Sequence, residues 1–272
     1  LSYTKSFKEH TLNVGIYNEY IQRVLNTYGF SSYGLTGNFQ NGAGVTNGNP
    51  TFFPAVRENR TENRLLSNFA LASYSFKNRY FFNGSFRRDG SSRFGANNRF
   101  ANFYSVGAGW VISEEKFFSG VKFINNLKLS TSFGTVGNQE GIGDFASREL
   151  FGPRTYAGTN GPGLSQLPNQ DLSWEERQKF NIGFNAVAFN GRITFGIDFY
   201  NEITNNLFLN NQLSRTTGFT SLNTNIGKVR NRGWEFTLIT ENVKHKNFTW
   251  TTSINFTINR NEILALTPTT PA

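Results

Sequence analysis

Large apolar and polar side chains alternate along several segments of the chain. Between residues 247 and 258, the apolar residues are Phe248, Trp250, Ile254, Phe256 and Ile258, and the residues between them are mostly Thr, Ser and Asn. The same two-residue period runs through 179–188 and 192–199. Successive side chains of a β-strand point to opposite faces, so each segment has one apolar and one polar face. The segments exceed the usual 5 to 6 residues of a strand and match the roughly 9 to 11 that a tilted strand needs to cross a bilayer. The pattern predicts transmembrane β-strands.

The pattern predicts about nine strands joined alternately by short and long connections. Two tight hairpins are predicted, at 77–79 and at Asn190-Gly191, a dipeptide typical of two-residue turns. The long polar connections are predicted at 26–62, 89–102, 134–176 and 206–227. Membrane β-barrels have short periplasmic turns and long outer loops, so these four connections are expected to face outward from the cell. Complete bacterial barrels have an even number of strands, and about nine therefore predicts a segment of a larger barrel.

Composition excludes some classes of protein. Hydrophobic residues make up 37% of the chain, the mean hydropathy is -0.44, and no run of about 20 apolar residues exists, which argues against membrane-spanning helices. A barrel is compatible with these values because only alternate side chains meet lipid. Aromatic residues reach 16%, and they favour strands and the girdles of membrane barrels. Cysteine is absent, which excludes disulfides and thiol chemistry.

The formal charge of +9 does not predict nucleic-acid binding, because Lys and Arg are spread singly and interleaved with acids. Nothing in the sequence predicts an enzyme or a cofactor, and no motif predicts a metal site. The only histidines, His10 and His245, are expected to be solvated residues near strand ends, and no nucleophile or nucleotide-binding motif is present. Glu140 and Asp144 are a weak candidate for binding a cation in a loop.

Several sequence motifs resemble one family. They are RDGSSRFG at 88–95, GWVISEE at 109–115, GTVGNQ at 134–139, LPNQDLSWE at 167–175 and NIGKVRNRGWE at 225–235. In this order they closely resemble the barrel of SusC/RagA-type TonB-linked outer-membrane transporters, and the likeness extends from about Glu62 to Asn259.

The resemblance implies a location in the outer membrane of a Gram-negative cell and import of oligomeric nutrients, glycans or peptides. It implies two protein partners, a SusD-like surface lipoprotein that acts as a lid and the TonB complex. Outer-membrane lipid and a glycan or peptide substrate are the other expected partners. A plug domain of the same protein is expected to lie inside the barrel. The sequence contains no segment that resembles the plug, so residues 1–272 are expected to be a partial barrel domain without the plug and the remaining strands.

Two sets of residues are candidates for function. Aromatic residues in the predicted outer connections could stack on sugars or grip peptide side chains, or could pack the loops against one another. They are Tyr28, Phe30, Tyr33, Phe39, Phe52, Phe53 and Tyr156. Polar residues on the inward strand face are expected to line the lumen or meet the plug. They are Asn83, Arg87, Lys128, Lys179, Asn181, Asp198 and Glu235.

A second interpretation is a soluble all-β adhesive or structural domain, in which the apolar faces of two sheets would pack together. Such a sandwich is expected to have short loops at both ends. The long connections and the continuous large apolar face favour the membrane barrel.

Overall fold

The computed structural model describes residues 1–31, 55–267 and 270–271. The strands are β1 (Ser2–Phe7), β2 (His10–Ser31), β3 (Ala55–Phe76), β4 (Tyr80–Ser91), β5 (Phe100–Val111), β6 (Ile124–Asn138), β7 (Leu150–Tyr156), β8 (Thr159–Gln166), β9 (Glu175–Ala188), β10 (Ile193–Gln212), β11 (Ser221–His245), β12 (Phe248–Thr267) and β13 (Thr270–Pro271). Three short 3₁₀ helices span Ile112–Glu114, Lys116–Phe118 and Arg215–Thr217. Among the described residues, no helix has the length and apolarity needed to cross a membrane.

The strands form one antiparallel sheet in chain order, with a separate hairpin inserted. The sheet contains 11 strands in the order β1 to β6 and then β9 to β13, while β7 and β8 pair only with each other. The predicted all-β antiparallel meander is confirmed. The prediction of about nine strands omitted β1, β7, β8 and β13. These strands are short, and β7 and β8 carry the opposed pair Pro153 and Pro162, which are unusual in strands.

The strand register gathers most of the large apolar residues of the long strands on one side of the sheet. Across β4 to β6, Phe86 lies opposite Tyr104 and Val106 opposite Phe133. Across β10 to β12, Ile197 lies opposite Phe236, which lies opposite Phe256. We call this side the apolar face. The other side, the polar face, carries the residues between them. Phe195, Phe256 and other large side chains of the apolar face are exposed, so no second sheet formed by the described residues covers them.

The connections differ at the two ends of the sheet, and they depart from the prediction in length. The short end has turns at 8–9, 77–79, 189–192 and 246–247 and also the longer connection 112–123. At the other end, which we call the loop end, β2 and β3 continue into the region predicted as a loop, as far as Ser31 and from Ala55. The remaining loop-end connections are 92–99, 139–174 and 213–220. They are shorter than predicted because the hairpins continue as paired strands beyond the apolar band.

Glu115 fixes the longer connection at the short end. Its carboxylate accepts hydrogen bonds from the Tyr80 hydroxyl, from Trp110 Nε1 at 3.1 Å and from Arg79 Nη1 at 3.1 Å. The hydrogen bond from Tyr80, followed by those from Trp110 and Arg79, holds the pKa of Glu115 below its ordinary value. The carboxylate therefore links the connection 112–123 to the start of β4 and to the end of β5.

His10 differs from the prediction of a solvated turn residue. Its ring stacks between those of Phe7 and Phe76, with centroids 4.8 and 4.6 Å away. Its Nδ1 lies 2.7 Å from the Tyr74 hydroxyl. Its role in the structure is packing at the start of β2.

Candidate functional site

All seven residues predicted to line a lumen lie on the polar face. Each is separated by one position from a residue of the apolar face, and the register through this part of the sheet is continuous. One row across the sheet shows the arrangement: Asn83 lies opposite Gly107, Gly107 opposite Ser132, and Ser132 opposite Asn181. The alternation in the sequence therefore places these side chains on one face of the sheet, and their position in a lumen stays a prediction.

Four of the seven line one groove in the middle of the polar face. Asn83, Lys128, Asn181 and Asp198 surround a groove of about 260 Å³. Asn181 Nδ2 donates a hydrogen bond to Ser132 Oγ at 3.4 Å. The groove offers amide, cationic and carboxylate groups side by side, a set that can hydrogen-bond a polar chain without strong selection for one charge.

Glycines make room for these polar side chains. A Cβ on Gly107 would lie 2.3 Å from Asn83 Oδ1, and one on Gly183 would lie 2.0 Å from Asp198 Oδ1. A side chain on either glycine would therefore force Asn83 or Asp198 to move from its position. The two glycines therefore allow Asn83 and Asp198 to lie flat against the wall, which keeps the groove open.

The other three predicted residues lie beside charged side chains, two of them in ion pairs and one opposite a like charge. Lys179 Nζ forms an ion pair with Glu202 at 2.6 Å. Arg87 pairs with Asp89 at 3.2 Å and stacks over the Phe69 ring, 4.6 Å from its centroid. Glu235 lies directly opposite Asp198 on the neighbouring strand, and like charges in that position repel each other.

Toward the loop end, the polar face meets a small hydrophobic core that the sequence analysis did not predict. We call it the loop core, and its buried members are Phe94, Phe103, Ile142, Ala146, Leu172 and Trp174. Trp174 packs against Phe94 and Phe103, with ring centroids 4.5 and 5.7 Å away. A groove of about 440 Å³, lined by Arg87, Phe103 and Trp174 among other residues, lies beside the loop core.

An ion pair and hydrogen bonds tie the loop core together. Arg93 Nη2 lies 2.7 Å from Asp144 Oδ1, and Asn63 Nδ2 donates a hydrogen bond to the same oxygen at 2.9 Å. Burial raises the pKa of Asp144, but hydrogen bonds from Thr61, Asn63 and Arg93 and the charge of Arg93 outweigh it and hold this pKa below its ordinary value. Asp144 was predicted as a weak candidate for binding a cation, and its carboxylate is already paired with Arg93 in the structure.

The signal for the loop core was present in the sequence motifs. Phe94 belongs to RDGSSRFG, and Leu172 and Trp174 belong to LPNQDLSWE. Gly95 in the first motif lies against the second, because a Cβ there would be 1.9 Å from the Gln170 carbonyl oxygen. These motifs therefore encode packing between loops that are distant in the sequence.

The structure does not bring the predicted aromatic residues together. Tyr28 and Phe30 lie in β2 instead of a loop, at positions that continue the apolar face, and are 69% and 67% exposed. Tyr156 ends β7 in the separate hairpin and is 87% exposed. The other four, Tyr33, Phe39, Phe52 and Phe53, lie outside the described residues. A substrate role for this set stays a prediction.

Comparison with known proteins shows the family to which the two-faced sheet belongs. The family described as "TonB dependent receptor-like, beta-barrel" matches residues 2–270. The chain belongs to this family of TonB-dependent receptors. TonB-dependent receptor P39 of Formosa agariphila is 43% identical over 207 residues, which cover 76% of this chain and 20% of that protein. TonB-dependent receptor SusC of Bacteroides thetaiotaomicron is 39% identical over 219 residues, 76% of this chain and 21% of that protein.

A solved structure gives the same result for the fold of this TonB-dependent receptor. The RagAB peptide importer in its closed-closed state matches with a TM-score of 0.85 and 34% identity, over 99% of this chain and 30% of that chain. The predicted resemblance to SusC/RagA-type receptors is therefore confirmed, and so is the location in the outer membrane. The apolar face is the lipid-facing surface of the barrel.

The chain spans about a fifth of the length of the two curated relatives. The prediction that it is not an enzyme is confirmed, because TonB-dependent receptors are transporters.

Proposed function

We propose that the chain forms part of the wall of an outer-membrane, TonB-dependent importer of oligomeric nutrients, either glycans or peptides. The observation that carries the proposal is the match of the whole two-faced sheet to a receptor described as a peptide importer. The relative SusC supports the same class of receptor. The polar face, with its groove of mixed amide and charged groups, suits a long polar substrate that passes without tight binding.

The proposal also covers the organisation of the complete protein. Residues 1–272 form one stretch of a larger barrel domain, since the curated relatives are about five times as long as the matched segment. A plug domain and further strands complete the barrel, and Asn83, Arg87, Lys128, Lys179, Asn181, Asp198 and Glu235 line the lumen or contact the plug. A SusD-like surface lipoprotein covers the outer opening, and the TonB complex supplies energy.

Import by the full-length receptor tests the proposal. A strain that lacks the receptor is complemented with the wild-type gene, and uptake of labelled oligopeptides and oligosaccharides is measured with and without a functional TonB. We expect uptake of one class that requires both the receptor and TonB. Equal uptake in the deletion strain would contradict the proposal. Purification of the tagged receptor from crosslinked outer membranes tests the lipoprotein separately, since a receptor that is isolated alone contradicts that partner.

A matched pair of variants tests the role of this segment within the receptor. Asn181→Trp adds an indole to the groove on the polar face, whereas Ile182→Trp adds one to the neighbouring position on the lipid-facing side. We expect the first variant to reduce uptake severalfold and the second to leave it unchanged. If both variants take up substrate at the wild-type rate, the groove does not lie on the import path.

A further inference from the structure

Three arginines stand together on the lipid-facing side of the sheet, just beyond its apolar band toward the loop end. The register from Val229 to Glu241 in β11 is free of bulges, so Arg230 and Arg232 share the face of Trp234 and Phe236. Arg260 of β12 lies on the same face, because it is directly opposite Arg232. We call Arg230, Arg232 and Arg260 the arginine cluster.

The position of the cluster corresponds to the outer boundary of the membrane. The adjacent row toward the bilayer is Phe199, Trp234 and Ile258, three large apolar side chains opposite one another. Aromatic residues in such rows mark the level of the headgroups. Arg232 is two residues from Trp234, a distance of about 7 Å along the strand. The guanidinium groups therefore reach the headgroup layer on the side of the long loops, which is the outer leaflet.

The cluster has an excess of positive charge that the described residues do not neutralise. Arg232 and Arg260 are directly opposite each other, an arrangement that destabilises a sheet unless an anion joins the pair. The only carboxylate at lipid-facing positions of β10 to β12, within the described part of the chain, is Glu262, which is opposite Arg230. That contact is loose, with 3.6 Å between Nη1 and Oε2, and both Arg230 Nε and Glu262 Oε2 are buried without a hydrogen-bond partner.

We propose that the arginine cluster binds the phosphate-bearing headgroup of a lipid in the outer leaflet. Phosphate oxygens can accept two parallel hydrogen bonds from a guanidinium group, and one phosphate between Arg232 and Arg260 converts their repulsion into attraction. The lipid is favoured over a soluble anion because the cluster is continuous with the surface that contacts lipid tails. A headgroup held there has its acyl chains beside Trp234 and Ile258. The cluster therefore fixes the height of this wall segment in the bilayer.

Binding of a defined lipid to the purified full-length receptor tests the proposal. Diphosphoryl lipid A is titrated into receptor held in a neutral detergent, and binding is followed by native mass spectrometry. The dephosphorylated lipid and inorganic phosphate are the two comparison ligands. We expect the wild-type receptor to bind the phosphorylated lipid, and the variant Arg232→Gln/Arg260→Gln to bind it on the order of 30-fold more weakly, at about fivefold for each arginine.

Further variants separate headgroup binding from general effects of charge and folding. Arg232→Lys/Arg260→Lys keeps both charges but loses the parallel hydrogen bonds, and it is expected to bind more weakly than wild type and more tightly than Arg232→Gln/Arg260→Gln. Arg154→Gln/Arg215→Gln removes two arginines from β7 and from the 213–220 connection, away from the apolar band, and is expected to bind like wild type. Equal binding by wild type and by Arg232→Gln/Arg260→Gln overturns the proposal. Equal affinity for the dephosphorylated lipid, or competition by inorganic phosphate at the same concentration as the lipid, overturns it as well.

Discussion

Arg93 and Asp144 form an ion pair of 2.7 Å that joins the connection after β4 to the connection after β6. Both side chains are largely buried, at 13% and 12% exposure, and Arg93 Nη1 also donates a hydrogen bond to the Gln139 carbonyl at 3.0 Å. The pair thus fixes the loop core above the polar face and defines the outer end of the wall.

Loss of the Asp144 charge is expected to loosen the loop core. In Asp144→Asn, Arg93 keeps a buried positive charge without its partner, which costs on the order of 2 to 3 kcal/mol. Limited proteolysis of the full-length receptor should then cut residues 139–174 faster than in wild type. Glu149→Gln is the control, because this exposed acid has no ion pair among the described residues. Equal cleavage rates for Asp144→Asn and wild type would contradict the role of the pair.

The same ion pair predicts a dependence on pH. Because the folded-state pKa of Asp144 is depressed below the ordinary 3.8, its contribution to stability is fully present above that value. The contribution is lost as the pH falls through the lower, folded-state pKa. Proteolysis of 139–174 by an acid-tolerant protease should therefore be slow from pH 7 to about 4 and should increase below that in wild type. Asp144→Asn should lack this increase, and an identical profile for both proteins would count against the assignment.

Gly95 is expected to tolerate no side chain. A Cβ at this position would lie 1.9 Å from the Gln170 carbonyl oxygen, and backbone cannot move as a flexible side chain can. Gly95→Ala should separate the two motif loops and reduce the amount of folded receptor in the outer membrane, measured by heat-dependent mobility on gels. Gly120→Ala is the matched control, because a Cβ there meets nothing within 4 Å. Normal yields of both variants would show that the contact is dispensable.

Neighbouring positions in β12 should respond oppositely to charge. Phe256→Arg places a cation on the lipid-facing side, at a cost of about 2 to 4 kcal/mol near the middle of the bilayer. Thr257→Arg places it on the polar face, opposite Glu235, where an attractive pair can form. Refolding of the full-length receptor into lipid vesicles at increasing urea measures the difference. We expect only Phe256→Arg to shift the midpoint, and equal shifts would show that the faces are wrongly assigned.

Removal of one acid from the polar face should stabilise the wall. Glu235 and Asp198 are directly opposite each other, so Glu235→Gln relieves a repulsion of roughly 0.2 to 1 kcal/mol. Urea unfolding in vesicles should show a small gain in stability. If the pair serves import, uptake by the same variant should fall, and Thr237→Ser, a change on the same face, should alter neither property. A loss of stability in Glu235→Gln would mean that the acids do not repel each other.

The sequence was sufficient to predict the long strands and the two faces of the sheet, but it was not sufficient to predict the loop core. In β9 to β12 the two-residue period is continuous, and it places Lys179, Asp198 and Glu235 on the correct face, because burial in lipid repeats along each strand. Phe94 and Leu172 have no such period. They belong to recognisable motifs, but they meet only after the loops fold over one another, and a contact between distant segments leaves no periodic pattern that predicts the packing.

The strand boundaries show a similar limit. Residues near Thr27 and Arg57 have no regular alternation, yet they belong to β2 and β3, because hydrogen bonds of the hairpin extend the pairing beyond the lipid. The β1 strand, Ser2–Phe7, escaped prediction because six residues are too few to show a period.

Phe236 pairs with Phe256, and Glu235 pairs with Thr257, without a break in the register. This pairing restricts which insertions and deletions the strands can tolerate. An insertion of a single residue in the middle of β11 would turn every later side chain of that strand to the opposite side, and charged groups would then enter the hydrocarbon. Two inserted residues would preserve the orientation, and the connection 213–220 can accept either number. Natural variants of this receptor are therefore expected to carry odd-numbered insertions and deletions outside the bilayer and only even-numbered ones within it.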